Sequence, residues 1–103
     1  IIICGYSFGA SISYDLASKR GVAGIVLIAP PPIFLEKCPK SVKNSLLILA
    51  SRDQFVPVKP TESFFRDIFD SIQLLEDDHF FINTLDELIK TVREFFKEKL
   101  FGI

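Results

Sequence analysis

The residue order predicts an α/β protein built on an open, mostly parallel sheet with helices on both faces. Three observations lead there. Residues 1–4, 25–29 and 46–50 are short apolar runs without alternation, the pattern of strands covered on both sides. Between them lie stretches of helical character, so strands and helices alternate in the order β-α-β-loop-β-α-β-α. The first apolar run also passes straight into a helix through Gly5-Tyr6-Ser7-Phe8-Gly9. That Gly-x-Ser-x-Gly spacing turns a strand sharply into a helix and exposes the serine hydroxyl above the sheet. The reading expects a Cβ at either Gly5 or Gly9 to clash in so tight a reversal, and expects Ser7 itself to be strained.

Residues 8–20 follow as a helix, with Ile12 and Leu16 on one face, Lys19 and Arg20 at the negative end of its dipole, and Gly21 as the terminating residue. Pro30-Pro31-Pro32 stops the second strand, and the chain to Asn44 reads as irregular. Residues 51–57 form the loop after the third strand. Pro60 opens a helix on which Phe64, Phe65, Ile68 and Phe69 pair at helical spacing. Residues 72–75 are a short strand, closed by the polar turn Glu76-Asp77-Asp78-His79. In the last helix Thr84 and Glu87 fit a capping box, and Leu85, Leu88, Ile89, Val92, Phe95 and Phe96 form the inward stripe.

With 103 residues the chain is one domain at most, and 49% hydrophobic against 24% charged residues is a globular mix. It does not begin with Met, and its first residues already have the character of a buried strand. The expectation is a C-terminal part of a larger domain whose early strands are missing. The 12 basic and 13 acidic residues are interspersed, leaving a net charge of −1 and no basic stripe for nucleic acid or a membrane surface. No apolar run approaches the ~20 residues of a membrane span. Cys4 and Cys38 make no Cys-x-x-Cys pair, and Cys4 falls on an expected buried strand. Two inert thiols in a reducing cytoplasm are therefore expected. Nothing in the residues implies a metal or another cofactor.

In an open parallel sheet the functional side chains collect on loops at the carboxyl ends of strands. Ser7 after the first strand, Asp53 after the third and His79 after the fourth meet that condition. A serine hydroxyl attacks well only when a base removes its proton, and imidazole is suited to that near neutral pH. A carboxylate then fixes the imidazole tautomer and stabilises the imidazolium. His79 is the single histidine, so it has no rival as the base. Asp67 and Asp70 fit a solvated helix face, and Asp77 and Asp78 stand too close to His79 in sequence to reach its far nitrogen. Asp53 is the expected acid.

These segments resemble the C-terminal half of an α/β-hydrolase over essentially the whole chain. Gly-Tyr-Ser-Phe-Gly-Ala matches the nucleophile elbow, Asp53-Gln54-Phe55-Val56-Pro57 the acid loop, and Asp78-His79-Phe80-Phe81 the histidine loop. Within that superfamily the chain is similar to small esterases and dienelactone-hydrolase-like proteins. The Ile28-Ala29-Pro30-Pro31 strand end and the Leu85-Asp86-Glu87-Leu88 helix start recur there. The resemblance implies a carboxyl-ester hydrolase acting through an acyl-enzyme, with acyl transfer, peptide cleavage or a non-catalytic role as alternatives. It implies an oxyanion hole built from the Phe8 N–H and a second N–H from a turn absent from this chain. It also implies an open site, since residues 30–45 are too few for a lid. Tyr6, Phe8, Ile33, Phe34, Phe55 and Phe80 would line that site for an apolar acyl group. The expected partners are a small ester and either the missing half of the domain or a second copy of the chain.

Overall fold

The computed structural model describes residues 2–31 and 42–100. Four strands, β1 (Ile2–Tyr6), β2 (Gly24–Ile28), β3 (Val42–Ala50) and β4 (Phe69–Leu75), form one sheet in sequential order. Every pairing is parallel, with Tyr6 beside Ile28, Ile28 beside Ile48 and Leu49 beside Leu74. Parallel neighbours need crossovers: helix α1 (Phe8–Lys19) joins β1 to β2 and helix α2 (Val58–Phe65) joins β3 to β4, while most of the β2–β3 connection lies outside the described residues. Helix α3 (Leu85–Phe95) follows β4, before a π-helical turn at Phe96–Leu100. The fold is the open α/β sheet expected from the sequence.

β2 and most of β3 carry the core, with Ile25, Val26, Leu27, Leu47 and Ile48 fully buried. α1 and α2 share one face of the sheet. Their contact is aromatic: Tyr14 meets Phe65 edge-on at 5.5 Å, and Phe65 meets Phe69 at 4.9 Å. α3 lies on the other face, where Leu88, Val92 and Phe96 lean toward Cys4 and Ile28. No helix among the described residues is long and apolar enough to cross a membrane.

Several local expectations are corrected. α2 begins two residues before Pro60 and ends at Phe65, and Phe69 opens β4 instead of extending the helix. β3 begins at Val42, well before Leu46, because Asn44 takes φ 55° and forms an irregularity in the pairing with β4. The Ser45 hydroxyl bridges that irregularity, donating to the Val42 carbonyl and accepting the Asp70 N–H at 2.9 Å. Helix α1 turns Ala10, Ser11, Ser13 and Tyr14 inward, while Ile12 and Leu16 are exposed. Close packing on the sheet favours small residues there, so the apolar pair is the outer face. α1 ends on Arg20 in extended geometry rather than on a left-handed Gly21. Cys4 is exposed at the border of an open groove, and its apolar surroundings push the thiol pKa up.

Candidate active site

The carboxyl edge of the sheet is where the backbone is most strained. Ser7, at φ 55° and ψ −125°, and Ala29, at φ 49°, follow directly on β1 and β2, and Phe81, at φ 54°, lies in the loop after β4. Non-glycine residues avoid this region, at a cost of about 1–3 kcal/mol each, unless surrounding bonds hold them there. Those bonds are visible: the Ser7 N–H reaches the Ile28 carbonyl at 2.8 Å and the Ala29 N–H reaches the Ile48 carbonyl at 2.8 Å. The turn also depends on Gly5. A Cβ there would stand 2.4 Å from Ser13 Oγ, 2.6 Å from the Gly9 carbonyl oxygen and 2.7 Å from Ala10 Cα. At Gly9 a Cβ would meet nothing within 4 Å among the described residues. Among the described residues the expected clash is found at Gly5 and not at Gly9.

Ser7, His79 and Asp53 meet at this edge. Ser7 Oγ lies 2.7 Å from His79 Nε2, and His79 Nδ1 lies 2.8 Å from Asp53 Oδ2. The histidine and aspartate side chains are 6% and 1% exposed. The second oxygen of Asp53 accepts the backbone N–H groups of Phe55 and Val56, both at 2.8 Å. Those two bonds aim Oδ2 at the imidazole, so that both carboxylate oxygens are engaged. Because Asp53 faces it as an acceptor, Nδ1 is assigned as the protonated nitrogen and Nε2 as the acceptor for the Ser7 hydroxyl.

The histidine loop is held from three sides. The His79 N–H donates to Gln54 Oε1 at 3.1 Å, and the Tyr6 hydroxyl donates to the His79 carbonyl at 2.6 Å. Beneath the loop, Asp77 is buried and accepts five hydrogen bonds, from the Asp78, Asn83 and Thr84 N–H groups, the Thr84 hydroxyl and the Asn83 amide. Burial alone would push its carboxyl pKa up, but those donors outweigh it and hold the group below its ordinary value. This corrects the expected capping box. The Thr84 side chain makes no bond to α3, because its hydroxyl turns to Asp77 Oδ2 at 3.0 Å.

Around the imidazole stand the expected aromatic residues. Phe55 and Phe80 approach it edge-on at 5.1 and 5.6 Å, and the Tyr6 ring lies 5.4 Å away at a shallow 30° tilt. Phe55 is 60% exposed, Phe80 53% and Phe8 59%, so they form an open apolar rim. Phe8 is the first residue of α1, where a backbone N–H has no acceptor within the helix. Ile33 and Phe34 lie outside the described residues. No group of three or more metal-ligating side chains occurs among the described residues. No local signal marks the contacts of Gln54 and Tyr6 with His79, since both depend on loops brought together from distant parts of the chain.

No family model and no curated protein matches the sequence, whereas solved structures match its backbone. A protein of unknown function from Agrobacterium tumefaciens, assigned to the α/β hydrolases, superposes with a TM-score of 0.81 at 29% identity, over 98% of this chain and 51% of its own. This is an α/β-hydrolase fold. An α/β serine hydrolase homologue from Coxiella burnetii gives a TM-score of 0.74 at 29% identity, over 91% of this chain and 48% of its own. An esterase from Pyrococcus furiosus, at 17% identity, shares the fold with a TM-score of 0.78, over 97% of this chain and 53% of its own. The chain thus spans about half the length of the α/β hydrolases it matches.

Proposed function

We propose that this chain supplies the nucleophile, base and acid of a serine hydrolase that cleaves carboxylic esters. The observation that carries the reading is the unbroken relay from Ser7 Oγ through the His79 imidazole to Asp53 Oδ2, at 2.7 and 2.8 Å. Ser7 Oγ attacks the ester carbonyl while Nε2 takes its proton, and the buried Asp53 carboxylate stabilises the imidazolium. The imidazolium returns that proton to the departing alkoxide, leaving an acyl group on Ser7. Water, deprotonated by the same nitrogen, then releases the acid. The Phe8 N–H is the oxyanion donor this chain offers, and the exposed Tyr6, Phe8, Phe55 and Phe80 suit an apolar acyl group. Phe34 belongs to the same proposed lining on the strength of sequence alone. The free Cys4 thiol is in keeping with a reducing, cytoplasmic setting.

The partner we propose is the remaining half of the domain. β1 pairs only with β2 among the described strands, leaving its outer backbone edge open. Ile2 on β1 and Phe8, Ile12 and Leu16 on α1 are all exposed beside it. On the opposite face an apolar groove of about 690 Å³ opens between Cys4 and the α3 residues Leu88, Ile89 and Val92. An edge strand with apolar surface on both flanks calls for a further strand and its covering helices. The matched structures, twice this length, have room for them.

The test uses the complete protein. Ser7→Ala should abolish labelling by a fluorophosphonate and hydrolysis of p-nitrophenyl butyrate. Asp53→Asn should stay folded while turnover falls by about 10⁴, because an amide presents the wrong partner to Nδ1. Undiminished labelling of Ser7→Ala would place the nucleophile elsewhere.

A further inference from the structure

The two residues that flank the relay in sequence each grip one backbone atom of the histidine. Tyr6 immediately precedes Ser7, and its hydroxyl donates to the His79 carbonyl at 2.6 Å. Gln54 immediately follows Asp53, and its side-chain oxygen accepts the His79 N–H at 3.1 Å. The Tyr6 ring also lies 5.4 Å from the imidazole and meets Phe81 edge-on at 6.4 Å. Phe81 is the buried left-handed residue two positions after His79, a conformation that packing must hold in place.

We infer that the Tyr6 hydroxyl, beyond the ring's place in the proposed lining, is a positioning group: it ties the histidine loop to the strand that carries the serine. The inference rests on reading His79 as the base, and adds to it how Nε2 is kept on the Ser7 hydroxyl. A single imidazole rotating about its side-chain bonds satisfies the Asp53 bond over a range of loop positions, but the Ser7 bond only where β1 and the loop are in register. The Tyr6 bond spans that junction directly, joining residues 73 apart in sequence. Desolvation, then the carboxylates of Asp53 and Asp78, raise the phenol pKa, so the hydroxyl remains a donor well into alkaline pH. With its proton committed to the His79 carbonyl, the hydroxyl is not free to donate to a substrate.

Tyr6→Phe in the complete protein removes the donor and keeps the ring. Four measurements separate the roles: kcat and KM on p-nitrophenyl butyrate, the melting temperature, and the downfield proton resonance of Nδ1–H between His79 and Asp53. Losing one such bond is expected to lower kcat roughly tenfold, with KM within about twofold and cooperative unfolding preserved. The downfield resonance should broaden or shift as the imidazole loosens. Gln54→Ala, which releases the other backbone atom, should show the same kcat-selective loss. An unchanged kcat, a change confined to KM, an unaltered resonance, or loss of cooperative unfolding in Tyr6→Phe would each overturn the inference. Ser7→Ala in parallel keeps the two readings apart. Activity in Ser7→Ala would remove the serine mechanism, whereas the response of the Nδ1 proton to Tyr6→Phe would still report on the tether.

Discussion

Gly5 and Gly9 are equivalent in the Gly-x-Ser-x-Gly pattern, yet they should respond oppositely to alanine. The Cβ of Gly5→Ala would sit 2.6 Å from the Gly9 carbonyl oxygen and 2.7 Å from Ala10 Cα, where ordinary contact begins at 3.4 Å. The shortfall of 0.7–0.8 Å falls on helix backbone, which cannot rotate away as a side chain could. Relief requires lifting the first turn of α1 off β1, and that turn is fixed by the Ser7 N–H bond to Ile28. Overpacking of a tight interior costs about 1–3 kcal/mol, and backbone on the receiving side argues for the upper end. In a domain of ~150–250 residues each kcal/mol lowers Tm by about 2–4 °C, so Gly5→Ala should cost roughly 6–12 °C. Among the described residues the methyl of Gly9→Ala meets nothing within 4 Å, and within a helix alanine is favoured over glycine by about 0.5–1 kcal/mol. Thermal melts of the two variants of the complete protein check this. Equal destabilisation, or a Gly5→Ala variant as stable as the parent, would refute the steric account of the elbow.

Two further outcomes are expected. Asp77 has its carboxyl pKa lowered on folding, so its stabilising effect is fully present above the unfolded-state value and is lost as pH falls through the lower folded value. Denaturation of Asp77→Asn against the parent should therefore show a gap at pH 7 that closes in acid; a gap independent of pH would exclude a charged, donor-held Asp77. The 103 residues expressed alone should self-associate through the open β1 edge and hydrolyse an activated ester little faster than buffer. Monomeric material by sedimentation, with turnover lost in Ser7→Ala, would contradict that.

The sheet and the positions of Ser7, Asp53 and His79 were legible because each rests on a local signal. Unalternating apolar runs mark strands covered on both sides; Ser7 and Asp53 each follow one within three residues, and His79 closes the polar turn after the strand at 72–75. Locality also explains the misreadings. The start of β3 was hidden because Asn44 interrupts the run with a left-handed residue, and only the cross-strand bonds through Ser45 and Asp70 make it continuous. Thr84 and Glu87 have the spacing of a capping box, but Asp77, seven residues upstream of Thr84, outcompetes the helix for the threonine hydroxyl. The bonds of Tyr6 and Gln54 to His79 span 73 and 25 residues, and no spacing rule encodes them.

The apolar stripes show the remaining limit of a local reading. Helical periodicity identifies Ile12 with Leu16, and Leu85 with Ile89, as residues sharing a face. It cannot say whether that face looks at this sheet. On α1 the inward residues are Ala10, Ser11, Ser13 and Tyr14, and the small ones Ala10 and Ser13 stand where the helix closes on Gly5. Ile12 and Leu16 are left exposed. On α3, Phe95 is buried and Leu88 and Val92 half-buried, whereas Leu85 and Ile89 stay exposed, Ile89 at the groove beside Cys4. The exposed residues go with helices on opposite faces of the sheet, Ile12 and Leu16 with α1 and Ile89 with α3. On α1 the pattern goes with the close approach that forms the serine turn, since the fit of Gly5 against Gly9 and Ala10 fixes which residues of the helix meet the sheet.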